Sequence, residues 1–239
     1  AGPTTTSVAS GALSSPATWS AKKVPGAEDR VLIGAGHEVV YNVVSDARIA
    51  CVELRGHLRF ATGVNTRLKT NNLMVQDDGY LEIGSVANPI AANVTAEVVV
   101  SDQKIDRKLD PTELGAGIES LGKITMHGAV KTPTFMRLAG EPMAGQKTLT
   151  LEQPVTSWKA GDQIVLPDTR QLRENQRGES YQPRDEKLEI ARIEGTRITL
   201  TTPLKFDHKG AHDGADKLEF LPHIGNLSRN VLVRSENPA

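Results

Sequence analysis

Short runs in which apolar and polar residues alternate recur along the whole chain. Clear examples are Val31–Ile33, Leu58–Phe60, Leu81–Ile83 and Gln163–Leu166. A period of two predicts strands with one buried face, because successive side chains of a strand point to opposite faces. No stretch has the sustained apolar period of a helix, and the frequent Val, Ile and Thr residues favour strands. The pattern predicts an all-β protein.

Strands this short, separated by loops of uneven length, can build a sandwich, a barrel or a solenoid. Tight Asp-Gly turns between long strands would favour hairpins, but only Asp78-Gly79 lies between two strand-like runs. In a solenoid each rung stacks on the next and insertions leave at the corners, which suits uneven loops. The pattern therefore favours a right-handed parallel β-helix with long corner loops.

The same alternation predicts which side chains fill the interior, because residues two apart along a strand share one face. The side chains expected to point inward are Val31, Ile33, Val52, Leu54, Leu73, Val75, Leu81, Ile83, Leu149, Leu151, Ile164, Leu188, Ile190, Ile198 and Leu200.

Composition bounds the class of protein. The 239 residues suffice for one solenoid domain, which we place at residues 19–239 after an N-terminal segment at residues 1–18. A net charge of −1 gives no basic surface for nucleic acid. No apolar run reaches the roughly 18 residues of a membrane span. The single cysteine, Cys51, is expected to be a small buried hydrophobe, with intermolecular pairing as the alternative.

The glycine-punctuated segments resemble the G8 domain family. The resemblance rests on Trp19, RVLIGAGHEVVYN from Arg30, VELRGHLRF from Val52, GYLEIG from Gly79 and the segment from His127 to Thr169. The set of segments is specific, whereas any one of its glycines alone would carry no weight.

This resemblance implies a parallel β-helix in an extracellular protein. Relatives include hyaluronan-depolymerising cell-surface and secreted proteins, the fibrocystin family and bacterial secreted proteins. The resemblance implies a secreted or extracellular location, with the periplasm and the cell surface as further options. It also implies a polysaccharide or an extracellular protein as the partner. Two departures from the family, a glycine displaced to Gly26 and an insert at residues 102–118, lie in loops.

The first candidate segment is the polar loop from Asp168 to Lys187, whose length is typical of functional loops. Arginine can grip a sugar carboxylate with two hydrogen bonds, and tyrosine can stack on a sugar ring. The alternative is a solvated loop whose opposite charges pair with one another. The predicted substrate-binding residues are Arg170, Arg173, Tyr181 and Arg184.

The second candidate segment is FDHKGAHDGADK, from Phe206 to Lys217. Histidines with a carboxylate suit a transition metal, and aspartates alone suit calcium, which is the cofactor expected if this segment binds one. The predicted metal ligands are Asp207, His212 and Asp213. Because the spacing matches no established metal motif, the alternative is a plain glycine-rich turn.

Both segments leave strands that are close in sequence, so we expect them to meet at one edge of the fold. Cleavage of a glycan needs a proton donor and an acceptor. The predicted catalytic residues are Asp168, Glu186 and His208. The alternative is a pair of unrelated surface loops.

Two functions from different classes stay open on the sequence. The chain lacks a phosphate-binding loop, a nucleophile elbow and a cysteine-based metal motif, which disfavours nucleotide-driven and cofactor-dependent enzymes. The favoured function is an extracellular module that binds polysaccharide or acts as a scaffold. The alternative is a hydrolase or lyase that depolymerises an acidic glycan such as hyaluronan. The fold cannot decide between them, because β-helices host both classes.

Overall fold

A computed structural model describes residues 2–104, 115–172, 178 and 181–237 of the chain. This part is almost entirely β, with a short 3-10 turn at Pro16–Thr18, and contains no helix long and apolar enough to cross a membrane. It forms two compact units, Ala1–Ala129 with Arg229–Ala239 and Val130–Ser228, which we call the parallel unit and the antiparallel unit.

The strands are, in chain order, β1 (Thr5–Thr6), β2 (Gly11–Ala12), β3 (Arg30–Ile33), β4 (Glu38–Tyr41), β5 (Val44–Leu54), β6 (His57–Phe60), β7 (Thr66–Val75), β8 (Tyr80–Ile83), β9 (Ala96–Val100), β10 (Gly117–Ser120), β11 (Lys123–Met126), β12 (Phe135–Arg137), β13 (Thr148–Thr150), β14 (Gln163–Leu166), β15 (Glu186–Glu194), β16 (Arg197–Leu200), β17 (Ala211–His212), β18 (Leu218–Phe220), β19 (His223–Asn226) and β20 (Val231–Ser235).

The parallel unit contains two sheets. One has the order β1-β3-β5-β7-β9-β20, with β10 also paired to β7, and the other has the order β11-β8-β6-β4-β2. Every strand pair within them is parallel. Strands β1 and β2 come from the segment at residues 1–18, which therefore takes part in both sheets. Because β3 to β8 go alternately to the two sheets, each turn of chain contributes one strand to each sheet.

Stacking in register lines up the apolar side chains of successive turns. Val31 is aligned with Val52, and Val52 with Leu73, so that the same inward position recurs in three neighbouring strands. In the other sheet the rings of Tyr41 and Phe60, which are also register partners, stack with centroids 4.8 Å apart. All five side chains are buried. The core of this unit is thus a set of columns that run from strand to strand.

The corner between the two sheets requires glycine. A Cβ atom on Gly56 would collide with the backbone oxygens of Gly34 and His37 in the preceding turn of chain. One on Gly122 would collide in the same way with the backbone oxygens of Gln76 and Gly79. Glycine is typical of places where a second backbone approaches this closely. The corner glycines therefore set how tightly successive turns can stack.

The antiparallel unit is built differently. Its main sheet has the order β12-β19-β14-β15-β16-β13, and all of its pairs are antiparallel. A bridge between Leu138 and Leu151 joins the two end strands, supported by the bond from Ala139 N to Thr150 O, so the sheet closes on itself. Closure leaves no open sheet edge. A separate hairpin pairs β17 with β18.

Closure gives the antiparallel unit its own core. Trp158 lies in it with the indole nitrogen donating to Pro133 O at 2.7 Å. Beside the tryptophan, the buried carboxylate of Asp162 accepts hydrogen bonds from Lys131 and Asn226 at 2.6 and 2.8 Å. Burial acts to raise the pKa of Asp162, but these hydrogen bonds outweigh it and lower the pKa.

The all-β prediction is confirmed, but a right-handed parallel β-helix over the whole chain is not, because the sheets are mixed. Residues 130–228 hold antiparallel strands. An alternating pattern marks one buried face for a strand of either direction, so it does not distinguish parallel from antiparallel partners. Closely spaced short strands were interpreted as rungs, whereas here they are neighbours in a closed sheet.

All fifteen side chains predicted to point inward are buried. They divide between the two units, eight in one core and seven in the other. Cys51, expected to be buried, is only half-buried, with Sγ 3.7 Å from Asn72 Oδ1. Burial is the main cause of the raised pKa of its thiol.

Replacing Leu151 by Ala should destabilise the chain by about 2–5 kcal/mol, the usual cost of a cavity left by a buried leucine. Leu151 is 1% exposed and also lies at the bridge that closes the antiparallel sheet. The free energy of unfolding from denaturant titration measures the effect. A loss below about 0.5 kcal/mol, typical of surface positions, would contradict the assigned packing.

Replacing Gly56 by Ala should destabilise the chain by about 3 kcal/mol, because the added methyl group overpacks the corner. Gly63→Ala is the matched control, since a Cβ there meets no atom within 4 Å. The control should change stability by less than about 0.5 kcal/mol. Equal effects of the two substitutions in thermal or denaturant unfolding would refute the role of the corner.

Candidate functional site

The two predicted segments meet in the antiparallel unit. They line an open groove of about 640 Å³, together with Glu141 from the chain between β12 and β13. An adjoining side pocket of about 510 Å³ contains Tyr181 and Phe206. The residues that line the groove are Glu141, Thr169, Arg170, Gln171, Leu172, Arg184, Asp207, Lys209, Gly210, His212 and Asp216.

Asp168 organises the first segment. Its carboxylate accepts hydrogen bonds from Arg170 Nη2 at 2.6 Å, from the Tyr181 hydroxyl at 2.9 Å and from the backbone nitrogen of Arg184 at 3.1 Å. Arg170 also donates to Gln182 O at 2.7 Å. The segment is therefore held by pairing within itself, which is the alternative to a sugar-gripping role for Arg170.

This pairing also sets the protonation of Asp168. The Arg170 guanidinium holds the pKa of Asp168 well below its usual range, despite the opposing effect of burial, and the Tyr181 hydroxyl adds to the shift. Such a carboxyl group stays charged at neutral pH and has no proton to donate. Asp168 is therefore unsuited to act as a general acid. Its catalytic role stays a prediction, which this geometry does not favour.

Glu186 and His208 lie together, but inside the fold. His208 is completely buried and Glu186 is 5% exposed, with His208 Nε2 3.0 Å from Glu186 Oε1. The second ring nitrogen donates to Pro167 O at 2.9 Å. Glu186 also accepts from the backbone nitrogens of Lys205 and Phe206, at 2.8 and 3.2 Å. This buried pair holds the start of β15 against the second segment, and neither side chain lines the groove that the described residues form.

The remaining predicted binding residues face the groove and its side pocket. The Arg170 guanidinium lies 5.4 Å from the centre of the Tyr181 ring, and that of Arg184 lies 5.4 Å from the centre of the Phe206 ring. Both distances are in the range of cation–π attraction. Arg173, also predicted to bind substrate, lies outside the described residues.

The three predicted metal ligands are engaged separately. Asp207 accepts from the backbone nitrogen of Ala144 at 2.9 Å, and Asp213 accepts from those of Ala215 and Lys217, both at 2.9 Å. The Asp213 bonds are local and form a turn, whereas the Asp207 bond joins the second segment to a residue 63 positions earlier in the chain. Across the described ranges, no group of three His, Cys, Asp or Glu residues has the arrangement of a metal site.

His212 instead bridges two carboxylates at the groove. Its Nε2 lies 2.8 Å from Glu141 Oε1 and its Nδ1 lies 3.1 Å from Asp216 Oδ1. The hydrogen bond that His212 donates to Glu141 is the main cause of a raised pKa for His212 and lowers the pKa of Glu141 in turn. Glu141 is not among the residues predicted from sequence, because it lies 71 residues from His212 and no local motif links them.

The family model matches mainly the parallel unit, whereas similar proteins align with most of the chain. The sequence model of the G8 domain matches residues 18–139, just over half of the chain. The chain belongs to the G8 domain family. Human fibrocystin-L is 28% identical over 234 residues, covering 95% of this chain but 5% of that protein, and mouse fibrocystin-L is 32% identical over 72% of this chain and 4% of that protein. Protein rliB of Dictyostelium discoideum is 24% identical over 93% of this chain and 19% of its own length.

This chain therefore spans only a small part of each of these relatives. The groove lies after residue 139, so the G8 match itself does not include it, although the alignment with human fibrocystin-L covers nearly the whole chain. Among solved structures, one match is the Gp54 tailspike of Acinetobacter baumannii bacteriophage AP22, solved in complex with A. baumannii capsular saccharide. The match covers 85% of this chain and 23% of the tailspike chain. At a TM-score of 0.31 and 10% identity, this likeness does not establish a shared fold.

The titration of His212 tests the geometry of the groove. We expect an imidazole pKa above its ordinary value of 6.5, measured by NMR, and a return towards 6.5 in the Glu141→Gln variant. Because the folded-state pKa is raised, the charged imidazole stabilises the fold fully below the unfolded-state pKa. This contribution is lost as the pH rises through the folded-state pKa.

Glu194→Gln serves as the control for this titration, since Glu194 is an exposed carboxylate of the same unit that pairs with Arg192. It should leave the midpoint of His212 unchanged. Equal midpoints in the wild type and in Glu141→Gln would show that Glu141 does not hold the imidazole.

Proposed function

We propose that this chain is an extracellular module that binds an acidic polysaccharide in the groove of the antiparallel unit. The proposal rests on two cationic side chains that line that groove, Arg184 and Lys209. Among the residues that the structure describes, neither Arg184 nor Lys209 forms an ion pair, although both line the groove. Arg184 instead lies over the Phe206 ring, and the charge of Lys209 contributes to the lowered pKa of Glu141, so a carboxylate bound in the groove would lie near both cations.

The groove offers further groups that suit a sugar chain. His212 adds positive charge when protonated, and Thr169 and Gln171 bring side chains that can donate and accept hydrogen bonds. The open shape suits a long polymer that lies across the surface. A bound uronate would place its carboxylate near Arg184 or Lys209, where charge-assisted hydrogen bonds are roughly twice as strong as neutral ones.

Location and winding belong to the same proposal. Membership of the G8 family supports a secreted or extracellular setting, in agreement with the expectation from sequence.

For the parallel unit we further propose a right-handed winding, because crossovers between parallel strands of one sheet are right-handed in nearly all proteins. An extracellular protein partner on this unit, in a scaffold role, is the other form of the binding hypothesis.

Depolymerisation is the second candidate, and one observation favours it. The Glu141–His212 pair faces the groove, unlike the buried Glu186–His208 pair, and includes both a carboxylate and an imidazole. A lyase or hydrolase acting here would use these two groups as its proton acceptor and donor. The lowered pKa of Glu141 suits an acceptor and the raised pKa of His212 suits a donor.

Binding is tested by isothermal titration of the chain with a hyaluronan decasaccharide. The Arg184→Ala, Lys209→Ala double variant should bind at least about tenfold more weakly, because each charge-assisted contact contributes about 1.5–3 kcal/mol. Affinity of the wild type should also fall as salt is added, because the contacts are ionic. Arg192→Ala is the control, since it removes an exposed arginine of the same unit that pairs with Glu194. Equal affinity in the double variant and the wild type would refute the groove as the binding site.

Activity is tested separately by incubating the chain with hyaluronan and measuring new reducing ends and unsaturated uronates. A binding module produces neither. Product that appears in the wild type and disappears in the Glu141→Gln variant would establish the enzymatic candidate in place of the binding one. Activity retained in that variant but lost in Arg170→Ala, Glu186→Gln, with the free energy of unfolding of the double variant unchanged, would return the chemistry to the residues predicted from sequence.

A further inference from the structure

Three rings cluster on the outer face of the antiparallel unit, on elements that do not line the groove. Phe135 is 63% exposed and Phe220 is 53% exposed. The Phe220 ring stacks on His223 with centroids 5.1 Å apart and planes 25° apart, and the Phe135 ring lies 6.0 Å from His223 at 52°. We call Phe135, Phe220 and His223 the ring cluster. Nothing in the proposed function uses them.

Strand pairing holds the ring cluster in place. Met136, between Phe135 and Arg137, packs against the core, so the two flanking side chains point outward. In the antiparallel pair of β12 and β19, Phe135 is opposite Gly225 and Arg137 is opposite His223. Gly225 has no side chain that could cover the Phe135 ring. Phe135 and His223 are therefore held by the register of two strands in the closed sheet, and Phe220 reaches them from β18 in the separate hairpin with β17.

An arginine and a carboxylate stand beside the rings. Arg137 donates to both carboxylate oxygens of Glu152, with Nε 3.0 Å from Oε2 and with Nη2 bonded to Oε1. Both side chains are about two-fifths exposed, at 42% and 40%. Because Arg137 is the register partner of His223, this ion pair borders the ring cluster on the same sheet face. It presents hydrogen-bond donors and acceptors to solvent at the rim of an apolar surface.

We propose that the ring cluster is a second carbohydrate-binding surface, which takes the apolar face of a pyranose in a neutral polysaccharide. The face of an aromatic ring is electronegative and attracts the polarised C–H groups that line one side of such a sugar. The neighbouring hydroxyls of the same sugar are donors and acceptors at once, as Arg137 and Glu152 together require. Stacking needs no charge on the ligand, so this surface selects a chemistry different from that of the groove.

The size of the cluster favours a sugar over a protein partner. A stable protein interface buries about 800 Å² on each side with a continuous apolar centre. Three rings and one ion pair offer a much smaller surface, which matches one or two pyranose units. Phe220 is already stacked on His223 and Phe135 packs beside the same ring at a tilt, so less side-chain freedom is lost when a ligand binds.

Aromatic proton–carbon NMR of the whole chain with cellohexaose as the probe tests the proposal. The ring signals of Phe135, Phe220 and His223 should shift on titration. Phe135→Ala and Phe220→Ala, taken separately, should each weaken binding at least about tenfold, a typical effect of losing one stacked ring. Two variants on different strands guard against a local folding defect in one of them. Affinity should be insensitive to salt.

Leu227→Ala is the matched control, because Leu227 is an exposed apolar residue of the same unit, at 46%, outside the ring cluster. It should bind the probe like the wild type, and so should the Arg184→Ala, Lys209→Ala double variant. The proposal is overturned if both phenylalanine variants keep full affinity, or if the groove double variant loses the probe instead. It is also overturned if the ring signals move with protein concentration alone, which would identify the cluster as a contact between copies of the chain.

Discussion

Close stacking of backbone on backbone is the constraint on which the parallel unit depends. Successive turns of chain share one hydrogen-bonded register, so the side chain at each inward position meets its equivalent in the next strand. Gly56 and Gly122 allow this approach at the corner, where any Cβ would strike carbonyl oxygens of the turn before it. If the corner were wider, the columns through Val52 and Leu54 would no longer be in contact, and the core would lose its packing.

The antiparallel unit depends instead on carboxylates whose charge is hydrogen-bonded within the unit. Glu186 is buried, but it accepts bonds from His208 and from two backbone nitrogens, so the cost of its burial is offset. Nearer the surface, Asp168 likewise accepts hydrogen bonds from Arg170 and Tyr181. These two carboxylates fix the loops that form the groove, which leaves Arg184 and Lys209 at its surface. In the proposed function these two carboxylates are structural, and Arg184 and Lys209 are the proposed binding groups.

The sequence predicted well the features that depend on which face of a strand is buried. All fifteen inward residues followed from alternation, because burial requires a period of two whatever the partner strand. Direction did not follow, since β14 and β15 carry the same alternation in an antiparallel pair as β5 and β7 do in a parallel one. The resemblance to the G8 family strengthened the parallel interpretation for the whole chain, but the family model stops at residue 139.

The candidate site was predictable in its location but not in its contacts. The two segments were expected to meet because they leave neighbouring strands, and they line one groove, although antiparallel pairing brings them there. Which charges would pair internally could not be predicted, because the bonds of Asp168 depend on the exact path of a long loop. Glu141 escaped notice for a related reason, since a partner 71 residues away leaves no local pattern. The ring cluster also needed the register of β12 and β19 to become visible.

Amide hydrogen exchange of the chain with and without a saturating hyaluronan decasaccharide tests most directly whether the groove is the binding surface. If the ligand binds in the groove, we expect slower amide exchange in the segments at residues 168–172, 181–184 and 207–212, with exchange in the parallel unit unchanged. Slower exchange confined to the parallel unit, or no change anywhere at saturating ligand, would contradict binding in the groove.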